Sequence, residues 1–248
     1  FEKDISGSPA YKVGNVAKNS LHVRLEQMET PLGWVSLWWA AASQPATTGT
    51  DTAHTQYKSG NGTFFAAKTN GSVFSGNNEL GFAVGIKNMT HMGSSGDLIK
   101  DCTIDTDSSC TVDSSSRLRA WEVWTLDGER WSTQVAALVD QYNRGTSEKA
   151  MTNWTSVGVR PQLWLTDHYS IAFQAGYSIV DDESDGKGAR TLTRLTVAPQ
   201  LSMGKGYYSR PVLRAFYTHS EWNAANMGSA GGTSAANSTS LDSFGFQT

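Results

Sequence analysis

The residues of this chain with the clearest chemical potential lie in YYSRPVLRAFYTHS (207–220). Tyr208, Arg210, Val212, Arg214 and Thr218 share one phase of a two-residue alternation, opposite Pro211, Leu213 and Ala215. An aromatic ring beside hydrogen-bonding cations suits a sugar. The C–H face of the sugar stacks on the ring, and its hydroxyls pair with the polar groups. Such a site binds and releases without breaking bonds.

Other reactive residues are scattered. Cys102 and Cys110 lie close together in DCTIDTDSSC. If paired, they place the chain in an oxidising compartment; two unpaired thiols are the alternative. His22, His54, His91, His168 and His219 match no ligand spacing and read as solvated turn or loop residues. The acidic run Asp181, Asp182, Glu183 and Asp185 has oxygen ligands but no EF-hand spacing, so it reads as a hydrated loop. No nucleophile–base set and no pair of catalytic carboxylates stands out. The chain is expected to be no enzyme and to need no metal or cofactor.

Strands must position these residues. In SVGVRPQLWL, Val157, Val159, Pro161, Leu163 and Leu165 alternate with Ser156, Gly158, Arg160, Gln162 and Trp164. After Thr166-Asp167-His168, Ile171, Phe173, Ala175 and Tyr177 alternate with Ser170, Ala172, Gln174, Gly176 and Ser178. A period of two is the signature of a strand with one apolar and one polar face. Similar runs are expected at 21–28, 34–41, 62–69, 79–87, 117–124, 131–142, 194–202, 207–220 and 243–248, about eleven strands in all. Many are longer than the roughly 5–6 residues usual in soluble sheets, and about 9–11 tilted residues cross a bilayer. Pro161 and Pro199 count against their strands, since each lacks a ladder donor.

The connections alternate in length. TPLG, LDGE, TDH and MGKG are tight, with TNGSVFSGNN a looser member of that set; between them fall long stretches rich in Gly, Ser, Thr, Asn and Asp. In an up-and-down meander this puts the short turns at one end and the long loops at the other, the asymmetry of outer-membrane barrels. A soluble β-sandwich would bury each apolar face against a second sheet, with shorter strands and mixed connections. The pattern favours the transmembrane barrel, with apolar faces toward lipid. Arg160, Gln162, Gln174, Arg194 and Gln200 then line water. Trp38, Trp39, Trp121, Trp124, Trp131, Trp154 and Tyr177 fall near strand ends, where interfacial girdles place Trp and Tyr.

Composition narrows the class further. No stretch of about 18 apolar residues is available for a membrane helix, which leaves strand-built membrane proteins open. The formal net charge of -3 argues against a nucleic-acid partner. Phe1 follows no basic, apolar leader, so the chain reads as processed or partial.

LHVRLEQMETPLG, SVGVRPQLWLTDHYSIAFQAGY and YYSRPVLRAFYTHSEW resemble consecutive segments of the maltoporin family, the trimeric sugar-specific porins of Gram-negative outer membranes. Ser209-Arg210-Pro211 and Arg214 match the family's S-R-P-x-[LI]-R string in order and spacing, and KDISG at 3–7 is similar to the segment after its constriction loop. The resemblance implies an all-β, antiparallel, up-and-down transmembrane barrel of 18 strands. Residues 1–248 would be the C-terminal portion of that single porin domain, lacking the N-terminal strands and the last few residues. It implies facilitated diffusion of maltose and maltodextrins through a homotrimer set among lipid and lipopolysaccharide, with loops that serve some members as phage receptors. Tyr208 would occupy a sugar-slide position where the family usually has Trp, with Arg210 and Arg214 as hydroxyl partners. Phe1 would match a constriction Tyr. A further slide Phe would fall near Asn77, where this sequence lacks it unless Phe74 substitutes. A general porin and a secreted β-rich carbohydrate-binding domain are the competing readings.

Overall fold

The structure is a computed structural model, and it describes residues 19–31, 33–48, 56–57, 59–90, 114–145, 151–184, 186–230 and 237–247. Phe1, Cys102, Cys110 and Asp185 lie outside the described residues.

The predicted strands are present. β1 (Asn19–Thr30), β2 (Gly33–Gln44), β5 (Gly60–Val73), β6 (Gly76–Ile86), β7 (Ser116–Asp127), β8 (Trp131–Asn143), β9 (Met151–Trp164), β10 (Tyr169–Asp182), β11 (Arg190–Ser202), β12 (Val212–Trp222) and β13 (Ser240–Gln247) form one 11-stranded sheet. Its order follows the chain. The two-residue strands β3 (Thr47–Thr48) and β4 (Gln56–Tyr57) pair separately within the β2–β5 connection. A sequential antiparallel sheet puts every second connection at the same end. The short links β1–β2, β5–β6, β7–β8 and β9–β10 therefore share an end with the β11–β12 link, where a tight MGKG turn is expected and the connection instead runs over 203–211; the links after β2, β6, β8, β10 and β12 lie at the opposite end.

The TNGSVFSGNN stretch, expected as a loose link, is mostly strand. β5 runs to Val73, β6 begins at Gly76, and Phe74 and Ser75 turn the chain with φ of 49° and 62°. Positive φ at both central residues marks the turn whose twist suits a hairpin. The strand predicted over 207–220 also differs. It begins at Val212 rather than 207, and residues 203–211 form an extended turn. Tyr208 therefore lies before the strand whose alternation was used to orient it.

Close contacts group the chain into two compact units. One comprises Phe1–Lys68, Gly81–Ala120 and Asp140–Thr152; the other comprises Thr69–Leu80, Trp121–Val139 and Asn153–Thr248. In the first, Ala40, Ala42 and Met89 are buried together against Phe64. A short 3-10 turn (Lys87–Met89) carries Met89 there, and Gly85 makes room: a Cβ at that position would lie 2.1 Å from the Met89 carbonyl oxygen.

In the second unit the faces separate as the alternation requires. Leu163, Leu165, Phe173, Leu195, Leu201 and Leu213 are exposed, while Gln162, Ser170, Ala172, Ala198 and Gln200 on the opposite phase are buried. The greasy face is thus the outer one. Cross-strand pairing keeps it continuous, because directly opposed residues point to the same side. Pro199 is accommodated by a gap. The β11–β12 pairing runs to Val197↔Tyr217, skips Ala198 and Pro199, and resumes at Gln200↔Arg214 in unchanged register. The missing proline donor falls where the ladder is already open.

Candidate functional site

Pairing in the second unit gathers a polar surface from residues far apart in the chain. Gly176 opposes Arg194, Gln174 opposes Thr196, Gln200 opposes Arg214, Thr196 opposes Thr218, and Arg214 opposes Gln247. All point to the side away from Leu195 and Leu213. On this side lies a cavity of about 310 Å³ whose lining includes Arg160, Gln174, Arg194, Arg214, Phe216 and Gln247. Arg214 Nη1 donates to Gln247 Oε1 at 3.3 Å, and the Thr196 and Thr218 hydroxyls are 2.8 Å apart. Arg214 Nε is buried without a hydrogen-bond partner.

Two aromatics border this cavity: Phe173, whose phase belongs to the greasy face, and Phe216, which shares the arginines' phase and which the sequence reading overlooked. It sits two residues after Arg214, in the same phase, so the alternation alone could have found it. Gly245 stands opposite in β13. A Cβ there would come within 2.5 Å of the Phe216 ring.

Residues 203–211 bring the next aromatics. Asp127 Oδ1 accepts from the Tyr207 backbone N–H at 3.0 Å, and the Tyr207 hydroxyl donates to Gln134 Oε1 at 3.0 Å. The Tyr208 hydroxyl lies 3.1 Å from Thr125 Oγ1 and accepts from Gln134 Nε2 at 3.3 Å. A turn between β11 and β12 is thus tied to β7 and β8. The Arg160 guanidinium lies 5.5 Å from the Tyr207 ring centre, within cation–π range. Burial raises the Tyr207 hydroxyl above its ordinary range, so it stays a neutral donor.

The predicted residues therefore divide. Arg214 lines the cavity, together with Arg160 and Arg194. Tyr208 keeps an exposed ring but commits its hydroxyl to Thr125 and Gln134. Arg210 is exposed, donates from Nη1 to the Ser209 carbonyl at 2.7 Å, and is not part of the cavity lining. Tyr207 is the tyrosine that meets a cavity arginine. Phe74, offered as a substitute slide aromatic, sits exposed at the β5–β6 hairpin tip, its ring edge-on to Trp124 at 6.1 Å.

Charged groups on the first unit are matched differently. Asp140, 2% exposed, accepts from Arg117 Nε and Nη2 and from Arg119 Nε, each at 2.8 Å. Trp38 donates from Nε1 to Glu26 Oε1 at 3.3 Å, and Lys68 Nζ lies 6.0 Å from its ring centre. In the second unit Trp121 Nε1 donates to Glu79 Oε1 at 3.0 Å. Two tryptophans expected in an interfacial girdle thus hold carboxylates. Trp39, Trp131, Trp154 and Tyr177 remain exposed. His219, expected as a solvated turn or loop residue, is in β12, and its Nδ1 lies 2.8 Å from Asp242 Oδ1. In the acidic run, Asp182 accepts from the Ser184 backbone and hydroxyl, and Arg190 lies 3.9 Å away.

Against models of known protein families, residues 2–248 match the one described as LamB porin.

Proposed function

The chain belongs to the LamB porin family, and from that premise we propose that it conducts maltose and maltodextrin-type sugars across the outer membrane by facilitated diffusion. The family is one of outer-membrane β-barrel channels, and the sheet supplies the two-faced wall that such a channel needs. The observation that carries the sugar reading is the arginine-lined cavity with Phe216 in its wall, on the face opposite the exposed leucines.

The chemistry is that of a conduit. Phe216 and the exposed Tyr208, whose ring meets that of Tyr207 edge-on, offer stacking surfaces, with Arg214 and Arg210 as hydroxyl partners. Each aromatic contact is worth about 0.5–1.5 kcal/mol by analogy with aromatic pairs. Weak successive steps allow a sugar to leave, whereas one tight site would block passage. The greasy outer face suits lipid and lipopolysaccharide; in this reading the channel is a homotrimer, as family membership suggests, with the long loops at one end facing the exterior as phage-accessible surfaces. Residues 1–248 act in this reading as one porin domain.

Liposome swelling tests it against a general porin. Proteoliposomes should swell faster with maltodextrins than with non-carbohydrate solutes of equal size. Equal, purely size-limited rates would remove the sugar claim.

A further inference from the structure

We propose that this channel also takes anionic saccharides, whose sugar units carry carboxylate, sulfate or phosphate groups, and takes them in preference to neutral chains of equal length. The inference rests on the sugar-channel reading and adds a substrate class to it.

The argument is one of uncompensated charge. Arg160, Arg194 and Arg214 line one cavity, and no described residue lining it is acidic. Their polar neighbours in the lining are amides and hydroxyls, such as Gln174, Gln247 and Thr218. Cross-strand pairing gives the same answer. Arg194 is opposed by Gly176 and Ser220, and Arg214 by Gln200 and Gln247. The carboxylate nearest in β13, Asp242, is on the other face of the sheet, bound to His219 and Tyr217.

Elsewhere the chain neutralises clustered arginines with its own acid. Arg117 and Arg119 share the buried Asp140. Among the described residues the cavity arginines have no such partner, and Arg214 Nε is buried and unsatisfied. Neutral hydroxyls can accept from guanidinium groups, but they leave the charge uncancelled. An oxyanion supplies both the acceptors and the charge, and a planar guanidinium matches carboxylate and phosphate oxygens two at a time. Rings of Arg or Lys are how pores select anions. Phe216 in the same wall provides the stacking face that a bare anion would not use, which points to a sugar carrying the anion.

The test reconstitutes the intact outer-membrane protein in planar bilayers. Current block is recorded with maltohexaose, with a hexa-uronate of the same length, with a sulfated maltohexaose and with inorganic phosphate. KCl is set at about 0.01 M or about 1 M, where the screening length falls from about 30 to about 3 Å. In dilute salt both anionic oligomers should bind on the order of tenfold more tightly than maltohexaose, with the gap closing in concentrated salt. Arg194→Gln should shrink the gap, and Arg194→Lys should retain most of it. If Arg194→Gln does not insert, the salt dependence of the unaltered protein decides.

Equal or weaker block by the anionic oligomers, or a gap indifferent to salt, overturns the proposal. So does phosphate blocking as tightly as the oligomers, since the saccharide would then contribute nothing. A gap for only the carboxylated or only the sulfated oligomer supports the proposal and identifies the anion. Block by maltohexaose without an anionic advantage sinks this inference alone, whereas no block by any saccharide sinks the sugar-channel reading beneath it.

Discussion

Phe216 and Gly245 face each other across β12 and β13, and a single methyl on Gly245 would fall 2.5 Å from the Phe216 ring. The glycine is where the ring finds its space. Phe216 can therefore stand against the sheet beside Arg214 rather than being levered out of the cavity wall.

Gly245→Ala should displace the ring and weaken sugar binding together with local packing, at about 1–3 kcal/mol for forced overpacking. Phe216→Ala should weaken sugar block while tolerating Gly245→Ala, because the clash goes with the ring. Maltohexaose titrations on the two single variants and the double variant would check this. Additive losses would mean that the glycine acts by some other route.

Gln134 holds two tyrosines at once, donating to the Tyr208 hydroxyl and accepting from that of Tyr207. Gln134→Ala and Tyr208→Phe should each shorten sugar residence, because a ring without its anchor samples more orientations. Their effects should overlap in the double variant, with coupling of about 0.5–1.5 kcal/mol, the net worth of a hydrogen bond. Residence times from single-channel block give the cycle. If the losses simply add, the tyrosine hydroxyl contacts sugar directly and Gln134 does not position it.

Asp140 is nearly inaccessible and shared by two arginines. Asp140→Asn removes the charge but leaves two cations on the sheet, so the folded state should lose about 3–5 kcal/mol, as when one partner of a buried pair is deleted. The replacement Asp140→Glu should recover part of this loss. Urea unfolding in detergent micelles, followed by gel mobility of unheated samples, reads the difference. An unchanged midpoint for Asp140→Asn would show that the arginines find other acceptors.

The eleven main strands, their two faces and the tight turns at TPLG, LDGE and TDH were legible in the residues alone, whereas MGKG opens a longer connection over 203–211. The reason is local. A strand reverses its side chain at every step, so Val157 to Leu165 and Ser156 to Trp164 separate without reference to any neighbour. Turn chemistry was harder to read. Phe74-Ser75 carries no glycine at its two central positions, so a tight hairpin was hidden behind residues that rarely adopt positive φ.

The site needed coordinates. Arg160, Arg194 and Arg214 were each legible as polar-face residues, but their meeting depends on the registers of separate strands, and register is set by pairing rather than by any one segment. Phase also misled once. Tyr208 was oriented by extending β12 backward through Arg210 and Pro211, whereas the strand starts at Val212 and the preceding turn docks on Thr125, Asp127 and Gln134. Hydrogen bonds between residues 74 and 80 positions apart leave no periodic trace in the chain. The amino-acid order by itself determined which side of each strand is greasy, because that is written at every second residue. Only the tertiary structure decided which polar residues share a cavity and which arginines have an acid, because charge compensation is settled by distance in space.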